Sequence, residues 1–434
     1  MIEISFPMHI NFTIDGEFTL VNIAEKIKDL ELEKLVLNQF VENINEIITT
    51  ELCGDKYQHN KKETQFERAG NYTRKIITLL GESELKIDKI RNKSTKEIFK
   101  PILPILGINP YKNSQDDIVF TSMDIATKSS YRDTVYIMEN FLKKTLSPST
   151  INRKLIKLGI EIKEFIKNKN KENNEEEYDH FYGDGTKSHS QEDRYKNDIK
   201  VAMTHNKKGE KVFLGCNVNK SWYDLGEELD ELNVLTPDAV LVSDAEPGLK
   251  NALVTAERKY QLDFIHFIRD IGFKLWNDEK LDLDMRKNIK KYVEKIIYKL
   301  KNQTLKYAEN KKELKMKINE AVDKLQEFSE YLYEIGCKKT ASFINKHSND
   351  VVTFAILTVD GKNIPWNSNS IERLMGEIQK RCKHKWMRWT TQGQESLLNL
   401  ILTRYINPEN YEEFKNQKLK TQHIKNIQIK ITTT

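Results

Sequence analysis

Cysteine is scarce in this chain, and its placement rules out most structural uses. Cys53, Cys216, Cys337 and Cys382 are the four, with no C-x-x-C pair among them and no histidine pair at zinc-finger spacing. This argues against a disulfide framework and against a structural zinc, so reduced thiols are expected. Long apolar runs are missing too. No stretch approaches the roughly 18 consecutive apolar residues of a bilayer span. The opening "MIEISFPMHINFTIDGEF" lacks the charged head and apolar run of a secretory signal. The expectation is a soluble, cytoplasmic protein without membrane contact. No short-period repeat is present, and no strong charge of one sign: 70 Lys and Arg stand against 65 Asp and Glu.

What the chain does have is length. Its 434 residues, 38% of them hydrophobic, suffice for a sizeable core shared among two to four structural units. Its charge is unevenly spread. From Arg373 onward twelve Lys or Arg face five Glu. Such a surplus attracts phosphate backbones, although a lysine-rich solvated face is the commoner meaning of any one run.

The period of the apolar residues divides the chain into six stretches. Residues 1–106 read as a helix ("LVNIAEKIKDLELEKLVLNQFVENINEIITTEL") and a hairpin around Gly81, "YTRKIITLLGESELKIDKIRN". The three prolines of "KPILPILGINP" mark a hinge. Residues 107–177 hold two amphipathic segments joined at Ser147 and Pro148, a good N-cap and first helical residue. They form a helix-turn-helix candidate that would offer Thr150, Asn152, Arg153 and Lys154 to DNA, with ordinary helix pairing equally open. A polar linker follows. Residues 178–269 change texture: strands at "HFYGDGTKSH", "DIKVAMTH" and "EKVFLGCNV", a helix at "SWYDLGEELDEL", a buried strand at "DAVLVSD", a helix at "LKNALVTAERK" and a last strand at "YQLDFIHFI". Three antiparallel strands followed by strand–helix alternation is the order of a ribonuclease H-like sheet in a mixed α/β fold. Residues 270–348 read as an all-helical insertion, 349–405 as the second part of the core and 406–434 as a basic tail.

The chemistry lies in carboxylates. Asp184 sits on the first strand of the sheet in "FYGDG"; Asp244 ends the apolar run "AVLV", at a strand's carboxyl end where open sheets bind ligands. Neighbouring strands would set the two face to face. Repelling anions held together need a cation or must take up protons, and Mg²⁺ or Mn²⁺ suits oxygen donors. Holding two ions takes a third carboxylate. In "NSNSIERLMGEIQKRCK", Glu372 and Glu377 flank the buried stripe of Ile371, Leu374, Met375 and Ile378, and helix geometry alone does not choose between them. Glu372 also stands three residues after Asn369, the spacing of a capping box. Asp360 in "TVDGKN" reads as turn chemistry. His266, alone on an apolar segment, reads first as a core residue.

Together, "YGDGTKSH", "LVSDAEPGLKNAL", "LDFIHFIRDI" and "NSIERLMGEIQKRCKHKWMRWTTQGQESLLNLIL" resemble the Mutator-like DDE transposases, insertion-sequence relatives included, over roughly residues 178–405. The resemblance implies catalytic and metal-holding roles for Asp184, Asp244 and Glu372 with two Mg²⁺ or Mn²⁺ ions. It makes Asp263 and His266 active-site neighbours through the family's Cys-or-Asp, two residues, His signature. It further implies cleavage at transposon ends and joining of 3′-hydroxyls to target DNA by a homodimer on double-stranded DNA, close to the nucleoid, with no small-molecule cofactor. Besides Thr150 to Lys154, the basic side chains Arg373, Lys380, Arg381 and Lys383 are the candidate DNA contacts. Two other classes stay open: a domesticated DNA-binding descendant without catalysis, and a metal-dependent nuclease on branched DNA.

Overall fold

The apolar segments around Gly81 do form a hairpin. In a computed structural model, which describes residues 19–55, 64–172, 177–192, 195–383 and 387–419, β1 (Phe66–Thr78) and β2 (Gly81–Asn92) pair antiparallel across Leu79 and Leu80. Gly81 takes a φ of 96°, a region that glycine enters without a Cβ penalty. Two helices replace the single one expected before it: α1 (Leu20–Asp29) and α2 (Leu32–Cys53) are separated by Glu31, whose φ is 47°. β3 (Ile98–Phe99) joins the hairpin, and α3 (Ile102–Ile105) follows. Val41, Ile76, Leu85, Ile87, Ile102 and Ile108 make one small core. The proline-rich segment therefore belongs to this core and is not the hinge its punctuation predicts. Each isoleucine it buries contributes about 1.5–3 kcal/mol, which outweighs the freedom the segment would otherwise keep.

α4 (Asp116–Ala126), α5 (Tyr131–Glu139) and the start of α6 (Pro148–Glu172) complete the first unit. Ser147 Oγ accepts from the Thr150 backbone N–H at 3.3 Å, the cap that the Ser-Pro pair predicts. The helix it opens runs 25 residues, much longer than the short second helix expected. The boundary between two compact units falls inside it, after Lys154; the described residues from Lys415 on belong with the first unit.

The second unit, Leu155–Phe414, is built on a five-stranded sheet. β4 (Tyr178–His189), β5 (Lys196–His205) and β6 (Lys211–Val218) form an antiparallel meander, with Gly209 at φ 79° in the second turn. α7 (Trp222–Leu232) begins with a capping box of Ser221 and Asp224. β7 (Leu235–Ser243), α8 (Pro247–Leu253) and β8 (Lys259–Leu262) continue, β7 parallel to both β4 and β8, giving the order β6-β5-β4-β7-β8. The pleat sorts the side chains: Phe181 and Leu241 join the main core on one face, while Tyr182 and Val242 point to the other.

The strand expected at "YQLDFIHFI" stops at Leu262. From there the chain turns helical: α9 (Phe264–Asp278) buries Phe264, Phe267, Ile268, Ile271 and Leu275, a helical spacing. A short apolar run satisfies either period, and the Asp263 cap decides it. α10 (Leu283–Lys306), α11 (Lys311–Glu334), α12 (Lys338–His347) and α13 (Thr353–Val359) then pack onto the sheet's core, so the helical region is longer at both ends than the sequence indicates. α14 (Asn369–Cys382) returns to pack on β4, α15 (Thr391–Ile406) packs on β6, and α16 (Pro408–Leu419) closes the described chain. Part of the expected linker (173–176) and the tail beyond 419 lie outside the described residues. No described helix is long and apolar enough to cross a membrane.

α6 meets α15 through Gly159. A Cβ there would stand 2.3 Å from the Ser396 carbonyl oxygen, which is backbone and cannot yield. Gly159→Ala is expected to destabilise the chain by at least about 1–3 kcal/mol. Gly376→Ala on α14 meets nothing within 4 Å and should be neutral or gain up to about 1 kcal/mol. Thermal unfolding of the two variants tests the contrast.

Candidate active site

Tyr182 and Val242 are the last pair of the parallel register, and beyond them Asp184 on β4 and Asp244 just past β7 lie close enough for the charge of one to act on the other. Both aspartates lie at the carboxyl side of the sheet, on the face that α14 covers. The Gly185 N–H donates to Asp184 Oδ1 at 2.7 Å, and the Glu246 N–H to Asp244 Oδ1 at 3.2 Å. These donors do not offset the confinement. Burial first, then the Asp244 charge, pushes the Asp184 carboxyl up to about 7. The Tyr260 hydroxyl, whose own pKa burial also raises, stays protonated and donates to the Asp244 carbonyl at 2.5 Å, holding the strand end in place.

Glu372 is not a cap. α14 begins after Ser368, without a side-chain cap bond, and the Asn369–Glu372 capping box does not form. Glu372 Oε1 instead lies 2.6 Å from His266 Nε2, and His266 Nδ1 lies 3.8 Å from Asp244 Oδ2. Glu377, the alternative on the same helix, pairs with Lys380. His266 thus stands in the first turn of α9, not on a strand, between the second aspartate and the glutamate. Its tautomer follows from Arg269. That guanidinium has only donors and reaches Nδ1 at 2.8 Å, so Nδ1 accepts and Nε2 carries the proton toward Glu372.

Asp263 connects the two helices that carry this pair. Its carboxylate is fully buried, accepting from the His266 N–H at 2.7 Å through Oδ1 and from the Ser368 hydroxyl at 2.8 Å and N–H through Oδ2. One side chain therefore caps α9 and anchors the start of α14. Arg269, Tyr260, Ser368 and Asp270 are site residues that the sequence did not single out. Asp270 also has its carboxyl raised, by burial first, and lies 3.8 Å from the Arg269 guanidinium. Arg269 and Asp270 would have stood out had "DFIHFIRD" been read as a helix, since they fall three and four residues after His266; nothing local marks Ser368.

The other expected contacts are dispersed. Thr150, Asn152, Arg153 and Lys154 occupy the opening turns of α6 in the first unit. Arg373 and Lys383 are exposed on α14 and at its end, and Lys380 is engaged by Glu377. Arg381 is not a surface residue: it is buried with its guanidinium 4.8 Å from the Trp389 ring centre, because its position on α14 faces the packed side. Asp360 is exposed in the turn with Gly361, as expected.

As donors, Asp184, Asp244 and Glu372 are hard oxygen ligands, and the upward shift of Asp184 comes first from burial and then from the Asp244 charge, which a cation would offset. In the present arrangement Glu372 is turned to His266, and among the described residues no three His, Cys, Asp or Glu side chains are gathered closely enough to hold a metal.

A family model described as "Transposase, Mutator family" matches residues 14–414. The chain belongs to the Mutator family of transposases. No curated protein matches it by sequence. Membership carries a transposase function and DNA as the substrate for this Mutator-family chain.

The raised Asp184 sets a pH dependence in the metal-free protein. A carboxyl whose folded pKa lies above its unfolded 3.8 contributes most below that value, and the contribution is lost as pH rises through about 7. Asp184→Asn is therefore expected to raise stability at pH 8, on the order of 2 kcal/mol once solvent screening is allowed for. The gain should vanish below about pH 4. Denaturant titrations at the two pH values check the sign.

Proposed function

We propose that this Mutator-family chain is a DDE transposase, in which Asp184, Asp244 and Glu372 are the catalytic carboxylates on a ribonuclease H-like sheet. One observation carries the reading: two aspartates from neighbouring strands come close enough for their charges to interact, and a glutamate from a helix more than a hundred residues later reaches the same imidazole as the second of them. The strand order, three antiparallel strands and then two parallel ones, also supports it.

Asp184, Asp244 and Glu372 would hold Mg²⁺ or Mn²⁺, two ions in all. Such a pair, when bound, activates a water or a 3′-hydroxyl and neutralises the leaving oxygen of a phosphodiester. The chain's own groups do the rest. His266 Nε2–H orients the Glu372 carboxylate, and Arg269 fixes which ring nitrogen carries that proton. Asp263 keeps α9 and α14 in register, so the imidazole and the carboxylate arrive together. Arg269, 3.8 Å from Asp270 and with its side chain 62% exposed, also stands where an approaching phosphate could meet it.

In this reading the first unit, with the hairpin and the α5–α6 pair, grips terminal inverted repeats, helped by Arg373, Lys383 and the basic end of the chain. Phosphate contacts dominate such binding, so affinity falls steeply with salt. Two ends must be joined, which calls for a homodimer on DNA, in the cytoplasm at the nucleoid.

The test is an assay with pre-nicked transposon-end duplexes and a target plasmid, scoring strand joining separately from hydrolysis. The wild-type chain is expected to join ends in Mg²⁺. Asp184→Asn, Asp244→Asn and Glu372→Gln should each lower cleavage and joining by at least about 100-fold while leaving end binding in place. Hydrolysis without joining would make the chain a nuclease. Joining that survives Glu372→Gln would remove the glutamate from the triad.

A further inference from the structure

α9 is apolar on both sides. Its inner face is buried in the core, but its outer face carries Ile265, Arg269, Phe273 and Trp276, which are 42%, 62%, 61% and 61% exposed. At 100° per residue these four fall within an arc of about 80°, a single ridge. A surface helix normally turns charged and polar residues to water, whereas three of these four are large and apolar and the fourth is a cation. The ridge begins at the acid cluster. Ile265 precedes His266, and Arg269 touches the imidazole that holds Glu372. It ends about 16 Å away, eleven residues along the helix. There Phe273 and Trp276, each 61% exposed, lie with ring centres 6.2 Å apart and planes inclined by 31°.

We propose that this ridge is a stacking platform for unpaired nucleotides beside the scissile phosphate, with Trp276 and Phe273 taking bases and Arg269 the backbone. The proposal rests on the DDE reading above and adds a strand path to it. Three features select this occupant. Arg269, the one charged side chain of the four, lies 3.8 Å from Asp270 yet stays 62% exposed, so its guanidinium can meet a phosphate. Exposed aromatic faces gain by stacking on bases that have left the duplex, since bases in a duplex present only their edges. The length matches about five nucleotides at stack spacing, leading directly into the carboxylates. A second copy of the chain fits less well, because a stable protein interface takes about 20–30 residues a side and this is a narrow ridge of four.

The test uses the full chain and a single-stranded oligonucleotide carrying 2-aminopurine, with the same sequence as a duplex for comparison. The wild type is expected to bind the single strand and quench the 2-aminopurine by stacking. The double variant Phe273→Ala/Trp276→Ala should lose on the order of 10-fold in single-strand affinity, and the quenching with it, while duplex affinity stays unchanged. Trp276→Phe, which keeps an aromatic face, should retain most of both. Both side chains are mostly exposed, so circular dichroism should show intact folds. Undiminished single-strand affinity and quenching in the double variant overturns the proposal, as does a wild-type dimer, seen by sedimentation, that the double variant abolishes with nucleotide binding untouched. End joining by the wild type in the same preparation separates failure of the ridge alone from failure of the DDE reading, since a chain that neither joins ends nor binds either probe overturns both.

Discussion

Two carboxylates brought together on neighbouring strands, one within β4 and one just past the end of β7, set the terms for the rest of the second unit. The strands that pair Tyr182 with Val242 bring Asp184 near Asp244, and burial withholds water from Asp184. Left alone, such a pair destabilises the fold at neutral pH, so its presence needs a reason outside stability. A proton on Asp184 relieves it in the metal-free chain; in the proposed reading a divalent ion relieves it in the working one.

The surrounding residues follow from that constraint. Tyr260 secures the Asp244 main chain, and Arg269 and His266 form a relay that ends on Glu372. The buried Asp263 is the tie between them. A lone buried carboxylate costs several kcal/mol, and here three donors satisfy it, two of them from the residue that precedes α14. The glutamate helix is thereby referenced to the end of β8 directly and not through the long helical region between them. The insertion can vary in its packing without displacing Glu372, provided that Asp263 and Ser368 stay bonded.

Much of this was legible in the sequence, and what was not has identifiable causes. The five strands and the two aspartates could be read because apolar period and turn residues are local signals: "AVLVSD" runs into a turn, and "NKKG" closes a hairpin. The hairpin at Gly81 and the Ser147 cap were legible for the same reason. The misreadings all come from tertiary context. "LDFIHFI" satisfies strand and helix alike, and only the Asp263 cap on the His266 N–H decides it. Asn369 and Glu372 have capping-box spacing, but the imidazole competes for the carboxylate and wins. Arg381 belongs to a basic run in the sequence, yet helical rotation turns it inward against Trp389. Likewise the proline-rich segment has the local look of a hinge, while its isoleucines bury in the core of the first unit.

The same competition explains why His266, and not a basic residue, stands next to Glu372. A lysine or arginine there would hold the glutamate in a permanent ion pair, and a cation arriving at the site would have to displace a full charge. A neutral imidazole donates one hydrogen bond, enough to orient the carboxylate and weak enough to yield it. Arg269 donates to Nδ1 from the outer side, its guanidinium also 3.8 Å from Asp270, so the geometry leaves Nε2 to donate the one hydrogen bond that orients Glu372.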